Sequence, residues 1–421
     1  MEQQNNTKIK KEEKMTDSNV GKTKVSRANV KENRISMPNK EPQAEYVRVR
    51  SGADRIFLVC VILLVCFGSI MVFSASYHYS GIKYGDGLYL AKRQLMFAIV
   101  GILAMLVVTR FNYKLFKLLS VPAYIFSMFL LVLVIVMGTS GGGAQRWLVI
   151  PGTPISFQPS EIAKLAIVLM LSWYMSKYHD KITDYTDKKN YLLCGLGGPL
   201  AILLTLAVAV VLEKHFSGLI IIVLIGAIIM FAGGSKWNYL VGFGILAFAL
   251  VSVAVLTLGY SSERIVAWID PTQDAQGSGW QTLQGLKAIG SGGVFGLGLG
   301  NSRLKNGYVS MPHNDFIFAI VCEELGYIGA LAAITLFGIL IWRGFVIASK
   351  APDIFSSLTV IGITSKVAIQ TIFNIAVVTK VIPNTGISLP FFSYGGTALF
   401  ILMIEMGIVL SISKHSYQKK A

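Results

Sequence analysis

Ten long apolar runs limit what this chain of 421 residues can fold into. A helix that crosses the hydrocarbon core of a bilayer needs about 20 mostly apolar residues. Backbone inside lipid must satisfy its own hydrogen bonds, which a helix does. The sequence therefore predicts an all-α polytopic membrane protein with ten transmembrane helices, at about 56–76, 94–109, 117–138, 161–177, 191–211, 217–233, 239–259, 315–342, 354–379 and 395–413.

The charge pattern agrees with a membrane protein. Only 14% of the residues are charged, whereas a soluble protein carries about 25%. The formal net charge is +16, but thirteen Lys and Arg residues lie within 1–55 and most of the others occupy short loops on the same side of the predicted membrane. This is the positive-inside bias. It indicates a multi-pass membrane protein with both termini in the cytoplasm, and it argues against a nucleic-acid partner.

The chain divides into three parts. Residues 1–50 are polar with mixed charges and no apolar periodicity, so we expect a disordered cytoplasmic tail. Residues 51–415 form the ten-helix membrane domain, and 416–421 a short cytoplasmic tail. The four cysteines all fall in apolar segments without metal-ligand spacing, so neither a disulfide nor a metal site is predicted: Cys60, Cys66, Cys194 and Cys322.

A polar loop over 260–314 separates the seventh and eighth predicted spans, and the positive-inside rule places it outside the cell. Loops of this length are usually functional or disordered, and its regularly spaced glycines and aromatics are not a disordered composition. We therefore expect a folded extracytoplasmic site. The loop is rich in charged side chains: Glu263, Arg264, Asp270, Asp274, Lys287, Arg303 and Lys305.

Two aspartates in this loop are candidates for a catalytic carboxylate. The segment Asp270-Pro271-Thr272-Gln273 has the pattern of a helix start with Asp270 as N-cap, which gives Asp270 a structural task. Asp274 has no such task, and it precedes Gly277-Ser278-Gly279, where a backbone or ligand can approach closely. Asp274 is therefore the better candidate for chemistry.

A carboxylate among cations beside lipid suits transfer from a lipid-linked pyrophosphate. The cations could hold the leaving group while the carboxylate deprotonates an attacking hydroxyl. The alternative at this point is a loop without chemistry on a transporter.

Two further outward segments carry polar groups. Arg146 and Trp147 place a cation beside an aromatic ring, and Glu161 and Lys164 share one face of a helix start. An ionisable group one turn into a span favours function, and the alternative is a surface ion pair. Glu213-Lys214-His215 reads as a short hairpin between spans.

The segment 380–397 contains two prolines and three glycines at a membrane edge. Irregular backbone at that depth needs cover from protein or water, so we expect it to line a cavity. Lys366, Gln370 and Asn374 share a helix face and could line the same cavity. Glu323 and Glu324 lie deep in the next predicted span, where they are expected to pair inside the bundle.

Three motifs, in this order along the chain, closely resemble the SEDS family (shape, elongation, division, sporulation), the peptidoglycan polymerases FtsW, RodA and SpoVE. They are QPSEIAKL, the block DPTQDAQGSGWQ with AIGSGGVFGLGLGNSRLK and PHNDFIFAIVCEELG, and IPNTGISLPFFSYGGTAL. The resemblance covers about residues 51–415. The long tail and the last motif are more similar to FtsW or SpoVE than to RodA.

The resemblance implies a ten-span enzyme that polymerises lipid II into glycan strands at the outer membrane face, for septal or sporulation wall synthesis. Asp274 matches the family's essential aspartate. The predicted substrate-binding residues are Trp147, Glu161, Lys164, Arg264, Lys305, His313 and Asp315. The implied partners are a class B penicillin-binding protein, which cross-links the strands, and other membrane proteins of the divisome. No cofactor is evident, although a divalent cation (Mg²⁺ or Mn²⁺) would suit a pyrophosphate product.

Two departures from the family pattern bear on activity. Where relatives read Leu-Pro-Glu before the histidine, this chain has Ser310-Met311-Pro312. Where many read Glu/Gln-Pro-Asp-Phe-Gly, it has Glu213-Lys214-His215-Phe216-Ser217. Two alternatives to the enzyme therefore stay open, a lipid II flippase and a scaffold for the transpeptidase without chemistry of its own. Asp274 is needed only by the enzyme.

Overall fold

Long apolar helices make up most of the chain in the computed structural model, which describes residues 46–48, 52–141, 144–149, 156–242, 244–245, 268–272, 279–309 and 311–419. The helices are α1 Arg55–Tyr84, α2 Tyr89–Val108, α3 Tyr113–Met137, α4 Pro159–Lys177, α5 His179–Thr183, α6 Lys188–Leu212, α7 Phe216–Ala232, α8 Trp280–Ser291, α9 Ile317–Ser349, α10 Ile354–Val378 and α11 Gly396–Ser413. Within α6, residues Tyr191–Gly197 are π-helical.

Short polar side chains set the helix starts. Asp54 accepts a hydrogen bond from the Phe57 amide at 3.0 Å before α1, and Asp353 accepts one from the Ser356 amide at 2.8 Å before α10. Each carboxylate satisfies one of the amides that the first turn of a helix leaves unpaired. Gly85 ends α1 with a φ of 73°, a left-handed conformation that glycine adopts without steric cost.

Seven of the described helices are long and apolar enough to cross a membrane: α1, α2, α3, α6, α9, α10 and α11. This confirms the predicted all-α polytopic fold. The shorter α7 is also apolar, and α4 begins with the charged residues Glu161 and Lys164. The count of ten spans stays a prediction, because most of the seventh predicted span, 239–259, lies outside the described residues.

Helix α10 lies inside the bundle, where it packs against α4, α7, α9 and α11. Its buried face carries Lys366, Gln370 and Asn374, as the sequence spacing predicts. Helix α11 is also largely enclosed and packs against α2. Polar groups on these two helices are therefore shielded from lipid and can reach a common interior.

The glycine-rich stretch after α8 lies against a kink in α9. Gly326 has a φ of 65° inside α9, and a Cβ there would meet the Gly296 nitrogen at 2.3 Å. Backbone amides of Leu297 and Gly298 donate to the carbonyls of Glu323 and Glu324, each at 2.9 Å. The glycines at 296 and 326 therefore permit close packing of the two backbones.

Two small sheets complete the described fold. Strands β2 (Thr139–Gly141), β3 (Ala144–Val149) and β4 (Ser156–Phe157) form an antiparallel sheet between α3 and α4. Strand β1 (Tyr46–Arg48) pairs with β5 (Tyr417–Lys419), so these parts of the two predicted tails meet. The rest of the predicted disordered tail, residues 1–45 and 49–50, lies outside the described residues.

Candidate active site

A polar cavity of about 480 Å³ lies beside the starts of α4, α7, α9 and α11 and the middle of α10. Its charged lining groups are Arg146, Glu161, Asp315 and Lys366. Amide, hydroxyl and aromatic groups line it as well: Trp147, Gln158, His215, Asn314, Gln370, Ser388, Ser393 and Tyr394. Apolar side chains such as Met311, Leu389 and Leu402 form the remaining wall. Such a mixture of aromatic, amide and charged groups suits a polar organic ligand such as a sugar.

A chain of four buried charges lies at the cavity floor. The Lys164 ammonium is 2.6 Å from Oε1 of Glu161. Oε2 of Glu161 is 3.9 Å from the Lys366 ammonium, which lies 2.7 Å from Glu405. All four side chains are at most 11% exposed. A surface ion pair, the alternative interpretation of Glu161 and Lys164, is therefore wrong, because the pair is enclosed by the bundle.

The turn between α6 and α7 contributes to the cavity wall. His215 lines the cavity, and its Nδ1 lies 3.3 Å from the Gln158 amide nitrogen. Burial, together with the positive charges of Arg146 and Lys164, lowers the pKa of His215 to about 3. At neutral pH His215 is therefore uncharged, and it serves as a neutral hydrogen-bonding group. The hairpin predicted here is confirmed, and one of its residues also lines the site.

Arg146 holds the same turn from the neighbouring strand β3. Its guanidinium donates to the carbonyl of Lys214 at 2.7 Å, and Lys214 has a φ of 55°. The carboxylate of Glu213 is buried in this turn, and neither oxygen has a hydrogen-bond partner among the described residues. Burial raises the pKa of Glu213 to about 8, and the Arg146 charge opposes that rise. The turn therefore carries two titratable groups whose charged forms are suppressed by burial.

The irregular segment 380–395 forms one side of the cavity, as predicted. Asn374 donates from its amide to the carbonyls of Asp315 and Ile387, each at 2.7 Å. The Ser393 hydroxyl accepts from the Leu389 amide at 2.7 Å and donates to the Asn314 carbonyl at 2.9 Å. These side chains replace the helical hydrogen bonds that the segment lacks, as backbone at membrane depth requires.

Described residues on both sides of Asp274 in the sequence hydrogen-bond to this segment. The indole Nε1 of Trp268 donates to the Lys380 carbonyl at 3.1 Å. After the loop, the Gln281 side chain lies 3.3 Å from the Asn384 amide. The two ends of the loop also meet, since a Cβ on Gly279 would lie 2.3 Å from the Pro271 carbonyl oxygen. Described residues before and after Asp274 are therefore bonded to the segment that forms one side of the cavity.

Asp270 has a structural task, but in a turn and not as the predicted N-cap, since Pro271 and Thr272 form a turn and not the start of a helix. Its carboxylate accepts hydrogen bonds from the Thr272 amide at 3.0 Å and from the Thr272 hydroxyl at 2.5 Å. The Asp270 carboxylate therefore stabilises this turn through its hydrogen bonds with Thr272. Asp274 and Arg264 themselves lie outside the described residues, so their predicted roles stay predictions.

The structure brings three predicted substrate-binding residues together at the cavity: Trp147, Glu161 and Asp315. Lys164 lies behind the wall with its ammonium on Glu161. His313 is buried between the rings of Tyr79 and Tyr394, with centroid distances of 4.8 and 5.7 Å. Burial, aided by the charge of Lys83, lowers the pKa of His313 to about 4, so it is neutral and supports the Tyr394 wall.

Lys305 lies in a second buried cluster. Its ammonium is 2.7 Å from Glu324, 3.1 Å from the Ser74 hydroxyl and 2.8 Å from the Gly300 carbonyl. Glu323 accepts hydrogen bonds from the Ser302 hydroxyl and the Arg303 amide. The predicted pairing inside the bundle is confirmed for Glu324, whose partner is Lys305, whereas Glu323 is held by hydroxyl and backbone N–H groups. The substrate-binding role predicted for Lys305 stays a prediction.

Sequence reasoning missed Glu405. It lies in the middle of α11, is fully buried, and holds the Lys366 ammonium with both carboxylate oxygens, at 2.7 and 2.9 Å. The signal that could have found it is simple: Glu405 is the one acidic residue in an otherwise apolar predicted span. An ionisable residue there is by default a functional hypothesis.

The membrane-spanning helices and the polar cavity among them define the class of this protein. It is a polytopic membrane protein with a polar site inside the helical bundle. The chain belongs to the FtsW/RodA/SpoVE family, whose model, described as "Cell cycle protein", matches residues 54–418.

Several named proteins are similar over most of their length. The chain is 37% identical to the "Probable peptidoglycan glycosyltransferase FtsW" of Geobacter sp. (strain M18), covering 86% of this chain and 97% of that protein. It is 36% identical to "Stage V sporulation protein E" of Bacillus subtilis (strain 168), covering 87% and 98%.

Solved structures agree with this fold. A chain of the structure described as "Structural coordination of polymerization and crosslinking by a peptidoglycan synthase complex" matches with a TM-score of 0.69 and 27% identity, over 86% of this chain and 97% of that chain. The rod shape determining protein RodA of Thermus thermophilus matches with a TM-score of 0.64 and 25% identity, over 87% and 98%. The resemblance noted in the sequence is confirmed.

Proposed function

We propose that this chain is a peptidoglycan glycosyltransferase that polymerises lipid II at the outer face of the cytoplasmic membrane. The observation that carries the proposal is that Trp268 and Gln281, on either side of Asp274 in the sequence, both hydrogen-bond to the segment 380–395, part of which lines the polar cavity. Family membership and the printed names of the relatives support the same activity.

In the proposed reaction, Asp274 acts as general base on the 4-hydroxyl of the acceptor sugar. The acceptor oxygen forms a bond to C1 of the donor sugar while the bond from C1 to the pyrophosphate oxygen breaks. The hydroxyl proton goes to the Asp274 carboxylate, and the leaving pyrophosphate takes the bonding electron pair. Arg264 and Lys305 are the predicted cations for that developing charge. For Lys305 this requires exchange of its Glu324 partner for the phosphate.

The cavity supplies groups for the sugar rings. The Trp147 and Tyr394 side chains offer aromatic faces, while Gln158 and Gln370 offer amides and Glu161 a carboxylate. A fixed donor and acceptor beside the base supply much of the rate enhancement in such a transfer. A divalent cation, Mg²⁺ or Mn²⁺, would assist by shielding the pyrophosphate, and loss of activity in chelator with recovery on adding the metal tests that point.

The proposed orientation places both termini in the cytoplasm and the cavity outside. The excess of Lys and Arg on the side of the termini supports it. We also propose a class B penicillin-binding protein as partner, together with other membrane proteins of division or sporulation. The likeness to a chain of a peptidoglycan synthase complex supports a transpeptidase partner.

The experiment compares polymerisation of fluorescent lipid II by the purified wild type and by Asp274→Ala, each with its penicillin-binding partner. Polymer from the wild type and none from the folded variant would establish the enzyme and its base. The buried charges of α4, α9 and α10 favour a flippase as second candidate. No polymer from either protein, with lipid II crossing vesicles in both, would support the flippase. Neither polymer nor transport, with transpeptidase binding intact, would support the scaffold.

A further inference from the structure

The floor of the cavity presents a carboxylate and an ammonium side by side. Glu161 and Lys366 both line the cavity, whereas their partners Lys164 and Glu405 are buried and are not among its lining residues. The four groups come from three helices, since Glu161 and Lys164 lie on α4, Lys366 on α10 and Glu405 on α11. The arrangement is therefore set by the packing of the bundle and not by one helix alone.

The distances in this chain of charges are unequal. Lys366 binds both oxygens of Glu405, at 2.7 and 2.9 Å, but it stays 3.9 Å from Oε2 of Glu161. That separation is beyond hydrogen-bond distance. Glu405 therefore draws the ammonium away from Glu161. One oxygen of Glu161 is held by Lys164 at 2.6 Å, and the other keeps hydrogen-bonding capacity toward the cavity.

We propose that Lys366 and Glu405 act as a positioning pair that keeps the Glu161 carboxylate ionised and open as a hydrogen-bond acceptor for the sugar of the substrate. This rests on the proposed function. Two flanking ammonium groups favour the charged form of Glu161, and an ionised carboxylate is an acceptor only. The hydroxyl and acetamido N–H groups of an N-acetylhexosamine are the matching donors. Hydrogen bonds to a charged acceptor are stronger than those between neutral groups.

Glu405 and Lys366 each prevent one way in which Glu161 would be lost as an acceptor. Without Glu405, the Lys366 ammonium would close on Glu161 and occupy the oxygen that the sugar needs. Without Lys366, one of the two cations that keep Glu161 ionised would be lost, and Glu405 would be a buried carboxylate with no counter-ion. The pair therefore acts on the substrate through Glu161, and neither member needs to touch the sugar.

The test measures binding of fluorescent lipid II to the full-length protein in nanodiscs, together with its melting temperature. The variants are Lys366→Met, Glu405→Gln and the double variant Lys366→Met with Glu405→Leu. Replacing a buried ion pair by apolar side chains often restores stability. We expect all three variants to bind lipid II about tenfold or more weakly, the cost of one hydrogen bond to a charged group, while the double variant melts at the wild-type temperature.

If Lys366 and Glu405 serve only to stabilise the fold, the variants give a different result. In that case the double variant would regain both melting temperature and lipid II binding, which would overturn the proposal, as would wild-type binding by folded Glu405→Gln. Arg343→Met is the matched control. It breaks the 2.8 Å ion pair with Asp54 at the far end of α9, about 40 Å along the helix from the cavity. It should lower the melting temperature and leave binding unchanged.

Failure of the positioning pair can be distinguished from failure of the proposed function. Binding of lipid II is read without polymerisation, so a wild type that binds but forms no polymer refutes the enzyme and leaves the positioning pair testable. A wild type that polymerises, with variants that bind as it does, refutes only the pair.

Discussion

The Lys305 ammonium lies 2.7 Å from a carboxylate oxygen of Glu324, and both side chains are buried. This ion pair joins the segment after α8 to the kinked part of α9. The Ser74 hydroxyl binds the same carboxylate from α1, at 2.6 and 2.7 Å. Three separate parts of the chain therefore meet at Glu324.

Lys305→Met should destabilise the protein by about 3–5 kcal/mol, because it leaves a buried carboxylate without its cation. Adding Glu324→Met should recover most of that loss, since two apolar side chains replace the pair. Thermal unfolding in detergent measures both effects. A variant Lys305→Met that keeps wild-type stability but raises KM for lipid II would contradict this expectation and show that Lys305 contacts the substrate.

Much of the fold follows from the sequence because long apolar runs have one solution in lipid. The face shared by Lys366, Gln370 and Asn374 and the cavity beside 380–397 were predictable for the same reason, since helical spacing and irregular backbone each have direct structural consequences. The fate of Lys305 was not predictable. A lysine in a polar loop has no sequence signal that distinguishes a phosphate ligand from a buried partner of Glu324.

The candidate site was only partly predictable, because its walls come from distant parts of the chain. The turn at His215 reads locally as a hairpin, and only the packing of α4 beside α7 brings that side chain into the cavity. Glu405 gave a signal, a carboxylate in an apolar span, but its partner Lys366 is 39 positions away. Pairing across helices depends on tertiary packing that spacing within one helix does not contain.

Glu213→Gln should make the stability of the folded protein less dependent on pH between pH 5 and pH 8. The folded-state pKa of Glu213 is about 8, raised by burial above the ordinary value of 4.5. Its contribution to stability is therefore complete below about pH 4.5 and is lost as the pH rises through 8. Between pH 5 and pH 8 the free energy of unfolding of the wild type should fall by about 2–4 kcal/mol. That of the variant should not show this fall.

Melting temperatures of both proteins across that pH range check this expectation. Asp180→Asn, which removes an exposed carboxylate, is the control and should follow the wild type. Parallel curves for wild type and Glu213→Gln would show that Glu213 is ionised in the folded protein at neutral pH.

Trp268→Phe should slow polymerisation while leaving lipid II binding nearly unchanged. The substitution keeps an aromatic ring but removes the indole N–H that donates to the Lys380 carbonyl at 3.1 Å. One such bond contributes about 1 kcal/mol, so kcat should fall about fivefold when the chain before Asp274 loses this bond. Kinetics with fluorescent lipid II measure kcat and KM separately. An unchanged kcat, or a change in KM alone, would mean that this anchor does not position the loop.

Glu161→Gln should reduce polymerisation by about 30-fold or more. The substitution keeps the shape of the side chain but removes the charge that pairs with Lys164 at 2.6 Å and faces Lys366 at 3.9 Å. A lost charge-assisted hydrogen bond to the substrate costs about 2 kcal/mol, and the buried Lys164 ammonium loses its counter-ion as well. The matched control is Asp86→Asn, which breaks the exposed ion pair with Lys92 and should leave polymerisation unchanged, because exposed pairs contribute little.

The double variant Glu161→Gln with Lys164→Met separates the two consequences of losing the Glu161 charge. These are the loss of an acceptor for the sugar and the loss of the counter-ion of Lys164. The double variant removes the unpaired buried ammonium and should recover stability, but it supplies no acceptor for the sugar, so polymerisation should stay low. Recovery of polymerisation in the double variant would mean that Glu161 serves only to neutralise Lys164. In that case the carboxylate at the cavity floor is a structural counter-ion, and the substrate is held by the uncharged wall of Gln158, Gln370 and Tyr394.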